Sequence, residues 1–220
     1  MLVQQRAVPI VAADGIRLEA RLAEPPDPRG AIVVCHPHPL FEGSMSTPPV
    51  PELVRAFGAA GWAALRFNFR GVHRSEGRFG HGRDEQLDVR AAVDLVEELL
   101  PVPAPIGVIG VSFGALVGLG AAAGDARITR YVAIGAPVGP AAASADLAIG
   151  PPPERLAGWS VRALAIAGGD DPYAPLESLE RWRDDTLGDR MRIEIVDGAP
   201  HLFAGFRPQL LELVTGFVRA

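Results

Sequence analysis

The sequence predicts an α/β protein in which a largely parallel β-sheet is covered by helices on both faces. Short apolar runs of strand length alternate along the chain with segments whose apolar residues recur at helical spacing. This alternation is typical of parallel sheets, because each connection between parallel strands crosses a face of the sheet as a helix. The chain has 220 residues, and we expect residues 1–220 to form a single domain.

The elements follow in order from an N-terminal hairpin. Its strands, 6–11 and 16–22, flank a turn with the sequence Ala-Asp-Gly and predict an antiparallel pair. Later apolar runs predict strands at residues 31–35, 63–69, 106–111, 129–134, 161–167 and 192–196. Helices are predicted at residues 50–60, 84–100, 113–123, 175–186 and 208–218. Asp84 is the expected N-cap of the second helix, and the last two helices begin at proline.

Composition excludes several classes of function. A net charge of −5 gives no sign of a nucleic-acid surface, and no apolar run is long enough to span a bilayer. There is no signal-peptide pattern, and the single cysteine, Cys35, excludes an intrachain disulfide. We therefore expect a cytoplasmic protein with no nucleic-acid or membrane partner. The expected assembly is a monomer or small homo-oligomer, which composition does not distinguish. The chain has no lysine, which excludes Schiff-base and phosphate-loop chemistry, and no cofactor is expected.

The most specific motif is a serine between two glycines at the end of the fifth strand. Residues 110–114 read Gly-Val-Ser-Phe-Gly, with an apolar strand before them and a helix of small residues after them. A serine on such a sharp turn holds its hydroxyl clear of the backbone. The helix N-terminus directs N–H groups at negative charge that develops beside it. Ser112 is therefore the candidate nucleophile.

A candidate acid and a candidate base follow later strands. Asp170 and Asp171 come after the seventh strand, and His201 comes after the eighth. Because the carboxyl ends of parallel strands meet at one edge of the sheet, we expect these side chains near the serine. A histidine can take the serine proton and later return it to the leaving group, while a buried aspartate fixes the imidazole tautomer. This order of residues predicts a Ser-His-Asp triad.

The chain resembles an α/β-hydrolase over essentially its whole length. It is similar to the small, capless serine hydrolases that carry an HPHP sequence after the third strand. The matching segments are 35–40 (CHPHPL), 66–71 (RFNFRG), 110–114 (GVSFG), 168–175 (GGDDPYAP) and 200–203 (PHLF). The resemblance implies Ser112 as nucleophile, His201 as base and Asp171 as acid, since Gly-x-x-Asp-x-x-x-Pro matches the family spacing. Asp170 is the alternative acid, and Asp146 is a more distant one.

An oxyanion hole needs two backbone donors. The N–H of Phe113 is the first candidate, because it follows the nucleophile. The second is expected from the loop after the third strand, where Leu40 is the first choice and His38 and Phe41 are alternates. The family has glycine where this chain has Glu42, so this carboxylate either repels acidic substrates or points to solvent.

Other polar residues of these loops have structural interpretations. His36 and His38 lack a nearby carboxylate or cysteine pair and are separated by proline, so we expect no metal site. Arg70 is expected to pair with an acidic group such as Glu85 or Asp88 and so to hold its own loop, and contact with a substrate anion is the alternative.

The segment after the sixth strand bears on the substrate. Lids in this fold enter there, and only residues 137–160 are available, so we expect an open site for small acyl groups. The expected substrate contacts are Phe41, His38, Tyr173 and Phe203, with Phe79 and Phe113 in the same apolar wall. The predicted function is hydrolysis of small carboxylic esters, or of thioesters or amides, through an acyl-enzyme. Acyl transfer by the same triad and a non-catalytic binding role are the alternatives.

Overall fold

The computed structural model describes residues 4–100, 104–145 and 153–220, which contain an eight-stranded sheet. The strands are β1 (Gln5–Val11), β2 (Arg17–Ala23), β3 (Ala31–Cys35), β4 (Ala63–Phe67), β5 (Ile106–Val111), β6 (Ile128–Ile134), β7 (Arg162–Gly168) and β8 (Met191–Val196). Their order in the sheet is β1-β2-β4-β3-β5-β6-β7-β8. β1 and β2 form an antiparallel hairpin, β2 pairs antiparallel with β4, and the pairs from β4 to β8 are parallel. This arrangement confirms the predicted α/β-hydrolase fold.

Helices cover both faces of the sheet. They are α1 (Val50–Ala59), α2 (Glu85–Glu97), α3 (Phe113–Ala122), α4 (Pro153–Leu156), α5 (Leu176–Thr186) and α6 (Arg207–Arg219). Short 3₁₀ turns occupy Pro39–Phe41, Pro140–Ala145 and Gly188–Arg190. α1 and α6 enclose one apolar core against the sheet, and α2 and α3 pack into the other, larger core on the opposite face. Strand β3 is buried along its whole length between these layers, as its uniformly apolar sequence predicts.

The start of α2 differs from the prediction in its cap. Asp84 occupies the N-cap position, but its side chain makes no capping hydrogen bond. The buried carboxylate of Glu85 instead accepts hydrogen bonds from the N–H groups of Gly80 and Gly82, at 2.7 Å each. Glu85 therefore closes the loop before the helix, a role that a sequence pattern for helix starts does not identify.

The order of the strands fixes where a site can form. β3 lies between β4 and β5, so the chain reverses its direction of progress across the sheet at the β3–β5 pair. In open α/β sheets, ligands bind beyond the carboxyl ends of the strands at such a point. The loops that follow β3 and β5 begin at His36 and Ser112 and meet there. No helix in the described ranges is both long and apolar enough to cross a membrane.

Candidate active site

Ser112 lies on a strained turn between β5 and α3. Its backbone has φ 54° and ψ −121°, a region that residues with a side chain rarely adopt, and it persists because the surroundings hold it. The Ser112 N–H donates to the carbonyl of Ile134 on β6, at 2.7 Å. A Cβ on Gly114 would lie only 2.6 Å from the carbonyl oxygens of Cys35 and His36, so glycine is required where the turn meets the β3 loop.

The structure brings the side chains of Ser112, His201 and Asp171 together through two hydrogen bonds. His201 Nε2 lies 2.9 Å from Ser112 Oγ, and His201 Nδ1 lies 2.8 Å from Asp171 Oδ2. Since a carboxylate oxygen accepts, Nδ1 carries the imidazole proton and Nε2 is free to accept the serine proton. The Asp171 side chain is fully buried, and its second oxygen accepts the N–H of Tyr173 at 2.9 Å. This is the geometry of an activated serine with an oriented base.

The two alternative acids do not take part in these hydrogen bonds. Asp170 is exposed, and its described hydrogen bond is a backbone bond from its N–H to the carbonyl of Ala199. Asp146 lies outside the described residues. The geometry therefore supports Asp171 as the partner of His201.

The hydrogen bonds of the amides after β3 bear on the choice of oxyanion donor, for which Leu40 is the first choice from the sequence. The Leu40 N–H donates to Nδ1 of the His38 ring at 3.1 Å, and the Phe41 N–H donates to the His38 carbonyl at 3.1 Å, so both amides are engaged. Within the described part of the chain, the N–H groups of His38 and Phe113 have no hydrogen-bond acceptor. His38, an alternate in the prediction, and Phe113 both line the cavity that holds Ser112, whereas Leu40 does not.

Ser112 opens into a cavity of about 420 Å³. Four of the residues expected to contact substrate line this cavity, namely His38, Phe41, Phe113 and Tyr173.

The prediction of Phe203 as a residue of the cavity wall is wrong. The Phe203 backbone has φ 55°, and its side chain is fully buried in the core that α1 and α6 enclose. Phe79 is half-buried; it contacts the His38 and Phe113 rings and lines a neighbouring cavity.

Several wall residues were not identified from the sequence. Apart from Ser112 and His201, the remaining lining residues are Pro37, Pro137, Ala141, Ala142 and Leu202. Leu202 takes the place expected for Phe203, because the chain turns between these neighbours. The signal for residues 137–142 was an apolar segment directly after β6, at the same edge of the sheet as the triad loops.

Glu42 departs from the family's glycine without entering the serine cavity. It is exposed and has φ 60°, a left-handed conformation that glycine adopts at no steric cost. It lines the neighbouring cavity of about 480 Å³, together with Arg70 and His73. We therefore find no negative charge from this residue at the walls of the serine cavity.

Arg70 holds the loop after β4 through buried contacts. Its Nε and Nη2 donate to Asp88 Oδ1 at 3.0 and 2.7 Å, and its backbone N–H donates to Asp88 Oδ2 at 2.9 Å. Nη1 donates to Asp14 in the hairpin turn at 2.8 Å. Of the two expected partners, Asp88 is the one that binds Arg70, because Glu85 is occupied by the loop before α2. The Arg70 guanidinium therefore stabilises the loop by binding two carboxylates.

Comparison with known proteins places this geometry in context. The sequence profile of a family described as X-Pro dipeptidyl-peptidase (S15 family) matches residues 14–145. RP471 of Rickettsia prowazekii, an uncharacterized protein, is 28% identical over 192 residues, which cover 85% of this chain and 78% of RP471.

Two solved structures are similar to this chain over nearly its whole length. ATU1826 of Agrobacterium tumefaciens, a protein of unknown function, superposes with a TM-score of 0.82 at 28% identity, covering 97% of this chain and 95% of ATU1826. XC6422 of Xanthomonas campestris, described as an α/β serine hydrolase without a lid, superposes with a TM-score of 0.80 at 27% identity, covering 100% of this chain and 95% of XC6422.

Proposed function

The chain belongs to the X-Pro dipeptidyl-peptidase (S15) family of α/β-hydrolase-fold serine hydrolases, and we propose that it hydrolyses small, uncharged carboxylic esters through an acyl-enzyme. Two hydrogen bonds carry this proposal. One joins Ser112 Oγ to His201 Nε2 at 2.9 Å, and the other joins His201 Nδ1 to Asp171 Oδ2 at 2.8 Å. A binding protein without catalysis would have no use for a serine held in a strained backbone conformation against a base.

In the proposed reaction, His201 Nε2 removes the Ser112 proton as Oγ attacks the ester carbonyl. Asp171 keeps the imidazole in the correct tautomer and stabilises the imidazolium that forms. The tetrahedral intermediate collapses as His201 returns the proton to the leaving alcohol, which leaves an acyl group on Ser112. His201 Nε2 then takes a proton from water as the water oxygen attacks the acyl carbon. The bond between the acyl carbon and Ser112 Oγ breaks as the histidine returns that proton to Oγ, and the carboxylic acid is released.

The negative oxygen of the tetrahedral intermediate needs two donors, and we assign them to the N–H groups of Phe113 and His38. Both are free of other acceptors in the described structure, and both residues line the serine cavity. Loss of one such donor costs about 3–4 kcal/mol of transition-state stabilisation in enzymes of this kind.

The cavity walls support an uncharged acyl group. Apart from Ser112 and the two histidines, the described lining residues are apolar or aromatic, and none of them is acidic or an arginine. A cavity of about 420 Å³ lies at the small end of the range for ligand sites. A free N-terminal ammonium, as in an X-Pro dipeptide substrate, would find no carboxylate among these residues, so we favour esters over peptides.

The experiment that tests the proposal is labelling with a fluorophosphonate probe, followed by peptide mass spectrometry. The adduct should form on Ser112 of the wild type and be absent from Ser112→Ala. A folded wild type that stays unlabelled would contradict the proposal and favour the binding role.

Substrate selectivity is tested with p-nitrophenyl acetate, butyrate, octanoate and dodecanoate, and with an X-Pro p-nitroanilide. Turnover should be highest for the two short esters. A preference for dodecanoate or for the anilide would overturn the substrate assignment. Product analysis with an added alcohol separates hydrolysis from acyl transfer, since transfer would yield the new ester in place of the acid.

A further inference from the structure

The ring of His36 bridges two segments behind the oxyanion loop. The Phe69 N–H donates to His36 Nε2 at 3.0 Å, and His36 Nδ1 lies 2.6 Å from the carbonyl oxygen of Pro37. A backbone N–H can only donate and a carbonyl can only accept. The ring is therefore neutral, with its proton on Nδ1 and its lone pair on Nε2. Neither nitrogen is left for a metal.

The carbonyl that accepts from His36 belongs to the same peptide unit as the proposed oxyanion donor. The peptide bond between Pro37 and His38 is trans, so its C=O and N–H point in opposite directions within one plane. A hydrogen bond that fixes the Pro37 carbonyl therefore also fixes the direction of the His38 N–H.

We propose that His36 is a positioning residue that aims the His38 N–H at the oxyanion, an inference that rests on the proposed function. The chain of bonds runs from the Phe69 N–H through the imidazole to the Pro37 carbonyl. Each bond polarises the next, so the His38 N–H becomes a stronger donor as well as a directed one.

The next peptide unit is held from the other side. The N–H groups of Phe41 and Gly43 both donate to the His38 carbonyl, at 3.1 and 3.0 Å. Both carbonyls that flank the His38 Cα are thus fixed, and the His38 N–H between them has no acceptor of its own among the described residues.

The surroundings of His36 keep the ring in one state. It is fully buried, and its ring centroid lies 4.6 Å from that of Phe69. Burial lowers the pKa of His36 to about 3, ahead of the opposing hydrogen bond with the Pro37 carbonyl. The ring is therefore uncharged at neutral pH, which is the state that its two hydrogen bonds require.

The first test uses the wild type and needs no activity. In ¹⁵N NMR spectra of the histidine side chains, assigned with the His36 variants, His36 should show a protonated Nδ1 and an unprotonated Nε2. A protonated Nε2, or a charged ring at neutral pH, would overturn the proposal.

The second test compares two amide side chains. The amide of Asn reaches the place of Nδ1, and that of Gln reaches the place of Nε2, so His36→Asn retains a donor to Pro37 while His36→Gln loses it. We expect kcat for p-nitrophenyl acetate to fall about 10²-fold in His36→Gln with KM nearly unchanged, and clearly less in His36→Asn. The affinity of a trifluoromethyl ketone, which forms a tetrahedral oxyanion on Ser112, should fall in parallel with kcat/KM.

His73→Asn, at an exposed histidine, is the matched control and should retain wild-type kinetics. Equal turnover of a folded His36→Gln and the wild type would overturn the positioning role while leaving the proposed function intact. An inactive, unlabelled wild type would instead remove the proposed function, and the NMR result would still report on the ring. If His36→Gln does not fold, the NMR test and His36→Asn decide.

Discussion

Two kinds of loop meet at one edge of the sheet. The loops after β5, β7 and β8 contribute side chains to the proposed site, whereas the loop after β3 contributes a backbone amide. After β5, β7 and β8, the proposed catalytic groups are the side chains of Ser112, Asp171 and His201, one from each loop. After β3, the proposed group is the backbone N–H of His38, and the ring of His36 is proposed to aim it. Side-chain chemistry is thus contributed by several loops, whereas the donor depends on the shape of one.

The two regions are also stabilised differently. The triad side chains bind mainly to each other, with the N–H of Tyr173 as an additional support for Asp171. The β3 loop is held by residues at the end of β4 and directly after it. Asn68 Oδ1 accepts the Met45 N–H at 2.8 Å, Arg66 Nη1 donates to the Met45 carbonyl at 2.8 Å, and Phe69 binds the His36 ring. Damage to the triad should therefore abolish turnover, while damage to the β3 loop should reduce it in steps.

The largest effect is expected from the triad as a unit. Ser112→Ala should lower kcat by ~10⁶-fold, and His201→Ala by a similar factor, because neither residue acts without the other. The double variant should be no slower than either single variant. Steady-state hydrolysis of p-nitrophenyl acetate over the uncatalysed background measures all three. Losses that multiply in the double variant would show that the two side chains act independently.

A smaller loss is expected at the acid, where two adjacent aspartates provide a matched pair. Asp171→Asn should lower kcat by about 10⁴-fold, because an amide beside Nδ1 favours the wrong imidazole tautomer. Asp170→Asn changes an exposed neighbour and should leave kcat within about twofold of the wild type, as surface substitutions generally do. A reversed ranking of the two variants would assign the acid to Asp170.

The same contrast explains what could be predicted from the sequence. Serine, aspartate and histidine carry distinctive chemistry, so their order at successive strand ends predicts that Ser112, an aspartate after β7 and His201 meet. The choice of Asp171 over Asp170 rests on the resemblance to the family's spacing. An N–H is present on almost every residue, and its direction depends on contacts that no local pattern contains. The hydrogen bond from the Leu40 N–H to the His38 ring, which argues against Leu40, depends on a loop conformation that the sequence pattern does not contain.

The prediction of the cavity wall was incomplete for a related reason. Phe203 is next but one to His201 in sequence, yet a left-handed turn directs its ring into the core and leaves Leu202 at the cavity. Periodicity locates strands and helices well, since it reflects which face is buried. It cannot give the direction of a single side chain in a tight turn, where one φ angle decides.

Gly43→Ala should break the β3 loop without touching the triad. A Cβ there would collide with the Pro37 carbonyl and lie 2.6 Å from the His38 oxygen, so the peptide that holds the proposed donor must move. We expect kcat to fall roughly 10²–10³-fold, the range for loss of an oxyanion donor. Gly216→Ala in α6 is the control, because a Cβ there would have no heavy atom within 4 Å apart from the adjacent backbone of its own helix, and it should raise stability by about 0.5–1 kcal/mol. Kinetics and thermal melting compare the two.

The smallest effect is expected at His38, and its sign separates the two candidate donors. His38→Ala retains the backbone N–H but removes the ring that accepts from Leu40 and lies 4.7 Å, centroid to centroid, from Phe113. A loop that loses one such hydrogen bond, worth about 1 kcal/mol, should lower kcat by roughly tenfold or less. If Leu40 were the oxyanion donor, releasing its N–H from the imidazole would leave kcat unchanged or raise it. A decrease in kcat with Ser112 still labelled by fluorophosphonate therefore supports the His38 amide, and an unchanged or increased kcat would return the role to Leu40.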